Sequence, residues 1–387
     1  MARVRPIDAL LFALFAFDRF PLAPGVPAGV PLIGLLLVIA AFRRPTLQVS
    51  VLPKLAPFYA ALFVYLAVVS DFNGTDYHQR LLRIVMLFLL TWVVAQGRFD
   101  VFSATLGLSV ATVLINTPAY YLGLTSDNYP PFLTGWFGDK NVAGLWCAMA
   151  LVIGLRFLHS AKTQLLWILL AGGALFLTGS RTSIAAGFAA LLWVALRPRV
   201  SVGVRLILVF VTIQAFEFVE INLARIGVFA DRVGTDWYRS LIERAMVAKI
   251  DSAPWYGLGL TEATVQISPE RVEWFHNSYL ALRVEGGVVL LAFISFVYVI
   301  VALGLLNRRI NVPRNQVLHE AAVVVILVCA WKLGEVFFTS ASALALGWAL
   351  GATYGEPVRR VGSGDDLSAQ LSSVLGDRGN ARSDGAK

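Results

Sequence analysis

Residues 164–196 read QLLWILLAGGALFLTGSRTSIAAGFAALLWVAL, two apolar runs parted by one short polar turn with Arg181 at its end. Neither run alternates polar with apolar residues as a half-exposed strand does. Each is near the length that crosses a hydrocarbon core as a helix. The turn joins them so closely that the pair reads as a helical hairpin, either spanning the membrane or re-entering it. The whole chain carries the same signature. Of its 387 residues, 58% are hydrophobic and only 14% charged, with a mean hydropathy of +0.72, whereas soluble domains carry roughly 25% charged residues.

Working outward from the hairpin, apolar spans fall near 7–20, 26–42, 55–70, 80–96, 101–123, 141–158, 164–179, 182–196, 203–219, 277–306, 317–338 and 340–355. This predicts an all-α polytopic membrane protein of about twelve transmembrane helices. The two short spans flanking Arg181 are the candidates for a re-entrant pair, and eleven is the alternative count. The basic residues fall in alternate short loops: Arg3 and Arg5; Arg43, Arg44 and Lys54; Arg98; Arg156 and Lys162; Arg197, Arg199 and Arg205; Arg308, Arg309 and Arg314; Arg359 and Arg360. By the positive-inside rule these loops and both termini are cytoplasmic. The apolar stretch after Arg5 has no small-residue cleavage site behind it and reads as a retained first helix. The net charge of +8 is spread over loops and forms no patch, which excludes a nucleic-acid partner.

The expected organisation is nine helices over 1–219, one long outward loop over 220–276 with short amphipathic helices, three helices over 277–356, and a Gly-, Ser- and Asp-rich disordered cytoplasmic tail over 357–387. The loop carries an amphipathic helix near 236–250 and then a Pro/Gly turn. Features expected on the outward face are the polar turn 71–78, the loop 125–140, the turn at Arg181 and the 220–276 loop.

Three motifs share that face. In Gly179-Ser180-Arg181-Thr182-Ser183, hydroxyls can cap the next helix, and its dipole with Arg181 makes an anion site; equally, Arg181 can snorkel to the interface. In the loop, Arg239 and Arg244 differ by about 140° around a helix, so at most one faces a given pocket. His276 and Asn277 stand where the loop re-enters the membrane, with Arg283 two turns deeper; a histidine there can act as a general base near neutral pH. Arg283, Glu285, Lys332 and Glu335 lie within apolar spans, where charges face a bundle interior or polar cavity, and Lys332 and Glu335 can pair at i,i+3. The chain holds no HExxH, CxxC pair or phosphate-binding glycine loop, and its four histidines are scattered, so neither metal nor cofactor is expected. A transporter of a lipid-linked oligosaccharide or an anion is the reading from another class, but the sequence has no two-fold repeat with matching broken helices.

Together, GWFGDKNVAG (135–144), LTGSRTS (177–183), an arginine about fifteen residues before PWYGLG (254–259), and HNSYLALRVEGG (276–287) resemble the O-antigen ligase and polymerase superfamily in order and spacing. The resemblance covers about 120–290. It implies a GT-C-like membrane glycosyltransferase of the bacterial inner membrane. Such an enzyme takes a glycan from undecaprenyl pyrophosphate on the periplasmic side and joins it to an acceptor, without a nucleotide sugar or metal. The acceptor is a lipid-linked glycan for a polymerase and lipid A core for a ligase, in the assembly of O-antigen, lipopolysaccharide or exopolysaccharide. A chain-length regulator or other assembly proteins would be its partners, alongside membrane lipids. The family's turn arginine corresponds to Arg181, its loop arginine to Arg239 with Arg244 as rival, and its histidine to His276. Family members often carry an aromatic residue four positions after the loop arginine, where this chain has Glu243. The FGDKN stretch with Lys140 and Asn141 is more like the polymerases. Lys140, Asn141, Ser180, Arg244, Asn277, Arg283 and Glu285 are the expected substrate-binding residues. The chemistry fits: arginines stabilise charge growing on a departing pyrophosphate, and a histidine accepts the proton of the attacking hydroxyl.

Overall fold

The computed structural model describes residues 4–23, 26–125, 129–223, 233–305 and 312–358. Its helices are α1 (Pro6–Ala13), α2 (Gly29–Ala41), α3 (Leu52–Phe72), α4 (His78–Ala95), α5 (Val101–Ser109), α6 (Asn116–Tyr121), α7 (Lys140–Ile153), α8 (Ala161–Leu177), α9 (Arg181–Leu196), α10 (Val202–Leu223), α11 (Val233–Ser252), α12 (Ser278–Ser295), α13 (Arg314–Lys332) and α14 (Ser340–Tyr354). A π-helical segment, Val110–Ile115, fuses α5 and α6 into one rod. Among the described residues, six helical stretches are long and apolar enough to cross a membrane: Leu52–Phe72, His78–Ala95, Val101–Tyr121, Lys140–Phe157, Ser278–Ala302 and Arg314–Lys332. Pro6–Phe17, Gly29–Ala41, Ala161–Leu177 and Gly203–Thr212 are shorter apolar helices. The chain divides into Met1–Glu356 and Pro357–Lys387; of the second unit only Pro357 and Val358 are described, so the expected tail lies outside the described residues.

The core is built around α13 and α14. Nearly every side chain of α14 is buried, and its sequence SASALALGWALGATY supplies small residues where other backbones come close. A Cβ on Gly347 would stand 2.9 Å from the Thr91 carbonyl oxygen of α4, and one on Gly351 would stand 2.7 Å from that of Ala95. This four-residue spacing lets α4 and α14 touch along their backbones, so van der Waals contact and a Thr91 hydroxyl bond to the Ala343 carbonyl (3.2 Å) replace a hydrophobic drive that lipid does not supply. Gly107 of α5 does the same against the Ala9 carbonyl of α1.

Contacts join the basic loops at one end. Buried Asp8 receives the guanidinium of Arg43 and the Asp100 amide (2.8 Å), and Arg98 donates to the carbonyls of Ala40 (2.7 Å) and Arg43 (2.8 Å). Arg156 bonds His319 (3.0 Å), and Arg314 bonds the carbonyls of Leu155 and Leu158 (both 3.1 Å). Arg197 pairs with Glu320 at 2.7 Å, with Trp193 and Gln316 completing that carboxylate's shell. Arg156, Arg197 and Arg314 stand at or just past one terminus of α7, α9 and α13, so Lys140, Arg181 and Lys332, at the other termini, lie away from this arginine-rich end.

About twelve spans are expected, against the six helices of crossing length among the described residues, and two of the expected spans end or break differently. The 317–338 span ends as helix at Lys332, so Glu335 belongs to the connection between α13 and α14. The 277–306 span is broken: Gly286 (φ −127°, ψ 18°) and Gly287 (φ 66°, ψ −160°) leave the helical region inside α12. Freed backbone groups in a membrane must find partners. They do so in the Pro/Gly turn of the preceding loop: Leu258 donates to the Val284 carbonyl (2.7 Å), Gly259 to that of Glu285 (3.0 Å), and Val288 to that of Trp255 (2.8 Å). Tyr65 of α3 completes the plug, donating to the carbonyls of Tyr256 (2.9 Å) and Gly286 (3.3 Å). A Cβ on Gly287 would lie 2.0 Å from the Trp255 carbonyl oxygen. Gly287→Ala is therefore expected to cost about 2–4 kcal/mol, from backbone strain and overpacking. Thermal unfolding of the purified protein in detergent checks this against Gly172→Ala, whose Cβ would meet nothing within 4 Å.

Candidate functional site

At the end opposite the arginine-rich loops, three helix N-termini gather about the C-terminal turns of α13. The first is that of α7. Gly138 (φ 68°) reverses the chain, and Asp139 caps the helix by accepting from the amides of Asn141 (2.8 Å) and Val142 (3.0 Å). The cap is thus Asp139, which frees Asn141 for another contact. Lys140, the first helical residue, sets its ammonium 4.7 Å from the Phe132 ring centre and 6.0 Å from that of Tyr129.

The second is that of α9, beside it. Gly179 (φ 61°) makes the α8–α9 turn, and its missing Cβ leaves room for Phe132. Ser180 occupies the N-cap position, but its hydroxyl bonds Asn141 Oδ1 (3.2 Å) and Ser183 Oγ (2.9 Å), not a backbone amide. The expected hydroxyl cap is therefore replaced by a link from α9 to α7, and Ser180 does not cap the first turn of α9. Arg181 opens that turn and is half-buried. Lys140, Asn141, Ser180 and Arg181 are thus brought together. Ser183 continues the line inward to Cys329 of α13, 4.0 Å away.

The third is that of α12. Asn277 caps it, accepting from the amides of Tyr279 (3.0 Å) and Leu280 (3.1 Å), so its side chain has a structural task. Ser278 donates to the Leu333 carbonyl (3.0 Å) and accepts from the Val336 amide (3.0 Å), fixing the helix start against the end of α13. Phe275 donates its amide to the Ala263 carbonyl (3.0 Å), and half-buried His276 is held between these anchored neighbours. Tyr279 reaches the Leu327 carbonyl of α13 (3.0 Å).

The loop helix α11 lies over this end. Its Ile242 and Met246 pack with Ala263, Val265, Phe275, Ala281 and Val284, and Lys249 bonds Glu262 at 2.8 Å. Behind them an antiparallel hairpin, Thr264–Ser268 with Arg271–Trp274, leads the chain back to His276. Arg244 is exposed and donates to the Ser240 carbonyl of its own helix (3.2 Å). The side chain of Arg239 lies outside the described residues.

Two expected substrate ligands are otherwise engaged. Arg283 grips the carbonyls of Pro254 (2.8 Å) and Ala253 (3.4 Å), tying the Pro/Gly turn to α12. Glu285, fully buried, pairs with Arg80 of α4 at 2.9 Å and accepts from the Thr261 amide (3.2 Å). Arg80 also meets Glu335 at 3.0 Å, and Arg83 approaches the same carboxylate at 3.5 Å. Glu335 therefore pairs across the bundle and not with Lys332, which lies 3.8 Å from Glu243 of α11. Sequence reasoning missed Arg80 and Arg83. The signal was two arginines three residues apart at the start of an apolar span, a placement that calls for buried carboxylates.

Below this end, a cavity of about 260 Å3 opens among α9, α10, α12 and α13. Leu192, Leu208, Leu327, Val328 and Trp331 make it almost wholly apolar, and Tyr279 of the first turn of α12 also lines it. Fold and site together define an α-helical polytopic membrane protein with a polar crown at one end and an apolar recess beneath it. No family model matches the chain, and no curated protein matches it.

Proposed function

We propose that the protein is a polyprenyl-pyrophosphate-dependent glycosyltransferase that transfers a glycan to an acceptor hydroxyl at the face opposite the arginine-rich end. That face is periplasmic in a bacterial inner membrane, and the process served is cell-surface polysaccharide assembly. The observation that carries this reading is the grouping of Lys140 and Arg181 on adjacent helix N-termini, with His276 anchored at a third, about the C-terminal end of α13. Two helix N-termini and two cations favour a pyrophosphate, whose charge grows as the glycosidic carbon–oxygen bond breaks.

In this mechanism Arg181, with Arg239 from α11, binds the pyrophosphate oxygens. His276 removes the proton of the attacking hydroxyl as the new glycosidic bond forms, the bond from the anomeric carbon to the donor oxygen breaks, and polyprenyl pyrophosphate leaves without a general acid. Arg239 is preferred over Arg244 on the resemblance, and Arg244 is exposed and donates to the Ser240 carbonyl of its own helix. The apolar recess suits the polyprenyl chain. A polymerase is preferred over a ligase on the FGDKN motif. Purified protein given lipid-linked repeat units, with and without lipid A core, tests the reading. A ladder formed without core supports a polymerase, and a single core-linked product supports a ligase. Flux of substrate into liposomes without any transfer would replace the enzyme with a transporter.

A further inference from the structure

At the arginine-rich end a second cavity, of about 190 Å3, lies between the start of α13 and the Gly154–Phe157 turn. Arg156, Asn315, Gln316 and His319 line its polar side, and Trp348 and Gly351 of α14 line its apolar side. We propose that this cavity binds a phosphate-type oxyanion, free or as the headgroup of an anionic lipid.

Three features point the same way. Arg156 Nη1 lies 3.0 Å from His319 Nε2. A guanidinium only donates, so Nε2 accepts and the imidazole carries its proton on Nδ1. The residue is only 2% exposed, and among the described residues that Nδ1 has no hydrogen-bond partner. It is a donor in want of an acceptor. The second feature is the N-terminus of α13, a 19-residue helix whose N-cap position is Pro313, a residue with no polar side chain to cap it. Its first-turn amides and dipole attract negative charge. The third is the charge balance around the cavity, whose lining residues include no carboxylate. Glu320 is neutralised by Arg197 and also accepts from Gln316 (3.0 Å). Asp100, which acts on Arg156 electrostatically, is held by the amide (2.8 Å) and hydroxyl (2.6 Å) of Ser103. In the proposed orientation this end faces the anionic cytoplasmic leaflet, where lipid phosphates are abundant.

The test is thermal unfolding of the full-length protein in neutral detergent at fixed ionic strength. One arm is titrated with inorganic phosphate, the other with short-chain phosphatidylglycerol, and chloride serves as control. A saturable rise in Tm is expected in at least one arm. Phosphate alone acting identifies a free ion; phosphatidylglycerol acting alone or at lower concentration identifies a headgroup. Arg156→Gln is expected to weaken the effect about tenfold or more. Asn315→Asp, at an exposed first-turn position where an acidic residue suits the helix, keeps the fold and is expected to weaken binding about fivefold by repulsion. If Arg156→Gln fails to fold, Asn315→Asp decides. No saturable shift in either arm, or midpoints unchanged in Asn315→Asp, overturns the proposal. Neither result bears on glycan transfer at the opposite end.

Discussion

Alanine at His276 is expected to lower glycan transfer about 10²–10⁴-fold at saturating donor, with donor affinity changed by no more than about twofold. The reasoning begins with the backbone. The Phe275 amide is fixed to Ala263, and Asn277 and Ser278 fix the helix start that follows, so the ring at position 276 can be removed without releasing its neighbours. A group that accepts the proton of the nucleophile acts only as the glycosidic bond forms, so its loss falls on turnover and spares ground-state binding. A pyrophosphate ligand would behave differently: Arg181→Ala is expected to weaken donor binding as well. Binding of lipid-linked donor and single-turnover transfer, measured on the same preparations, separate the two roles. A His276→Ala variant that turns over within a few-fold of the parent protein would remove His276 as the base.

The second large effect concerns stability. Glu285→Leu leaves Arg80 buried with Glu335 as its remaining carboxylate and is expected to cost about 3 kcal/mol or more, within the range for breaking a buried ion pair. Arg80→Met is expected to be similarly harmful, because Glu285 would then hold a buried charge against only the Thr261 amide. The double variant Arg80→Met/Glu285→Leu should recover much of the loss, since apolar replacement of both partners removes the desolvation penalty with the attraction. Unfolding midpoints of the four proteins in detergent close the cycle. Additive losses would show that the pair is not coupled. If the double variant is stable yet inactive, Glu285 or Arg80 has a part in transfer beyond holding the bundle.

Much of this architecture was legible in the chain. Length and apolarity marked an all-α membrane protein, though six helices among the described residues reach crossing length where about twelve are expected; Arg43, Arg98, Arg156, Arg197 and Arg314, from alternate basic loops, are joined by contacts at one end. The Gly-Ser-Arg turn sits beside Lys140 and Asn141, two motifs separated by about forty residues that sequence could name but not join. What escaped notice depends on long-range pairing. The partners of Arg80 lie 205 and 255 residues away, and no local spacing reveals them. Lys332 and Glu335 look paired at i,i+3 only if the helix continues; it ends at Lys332, and each turns to a different element. The twin glycines at 286–287 were visible as letters, but their meaning, a break in α12 closed by the Pro/Gly turn of the loop, needed the backbone of both segments. Ser180 shows the limit of local rules: it stands where a capping hydroxyl belongs and bonds sideways instead.

The most direct test of the central claim follows undecaprenyl pyrophosphate released by the purified protein from lipid-linked repeat units, alongside the glycosidic bonds formed. One carrier pyrophosphate released for each bond, with both signals lost together in His276→Ala, is the result predicted. Lipid-linked donor that stays intact in the presence of every acceptor supplied would contradict the account.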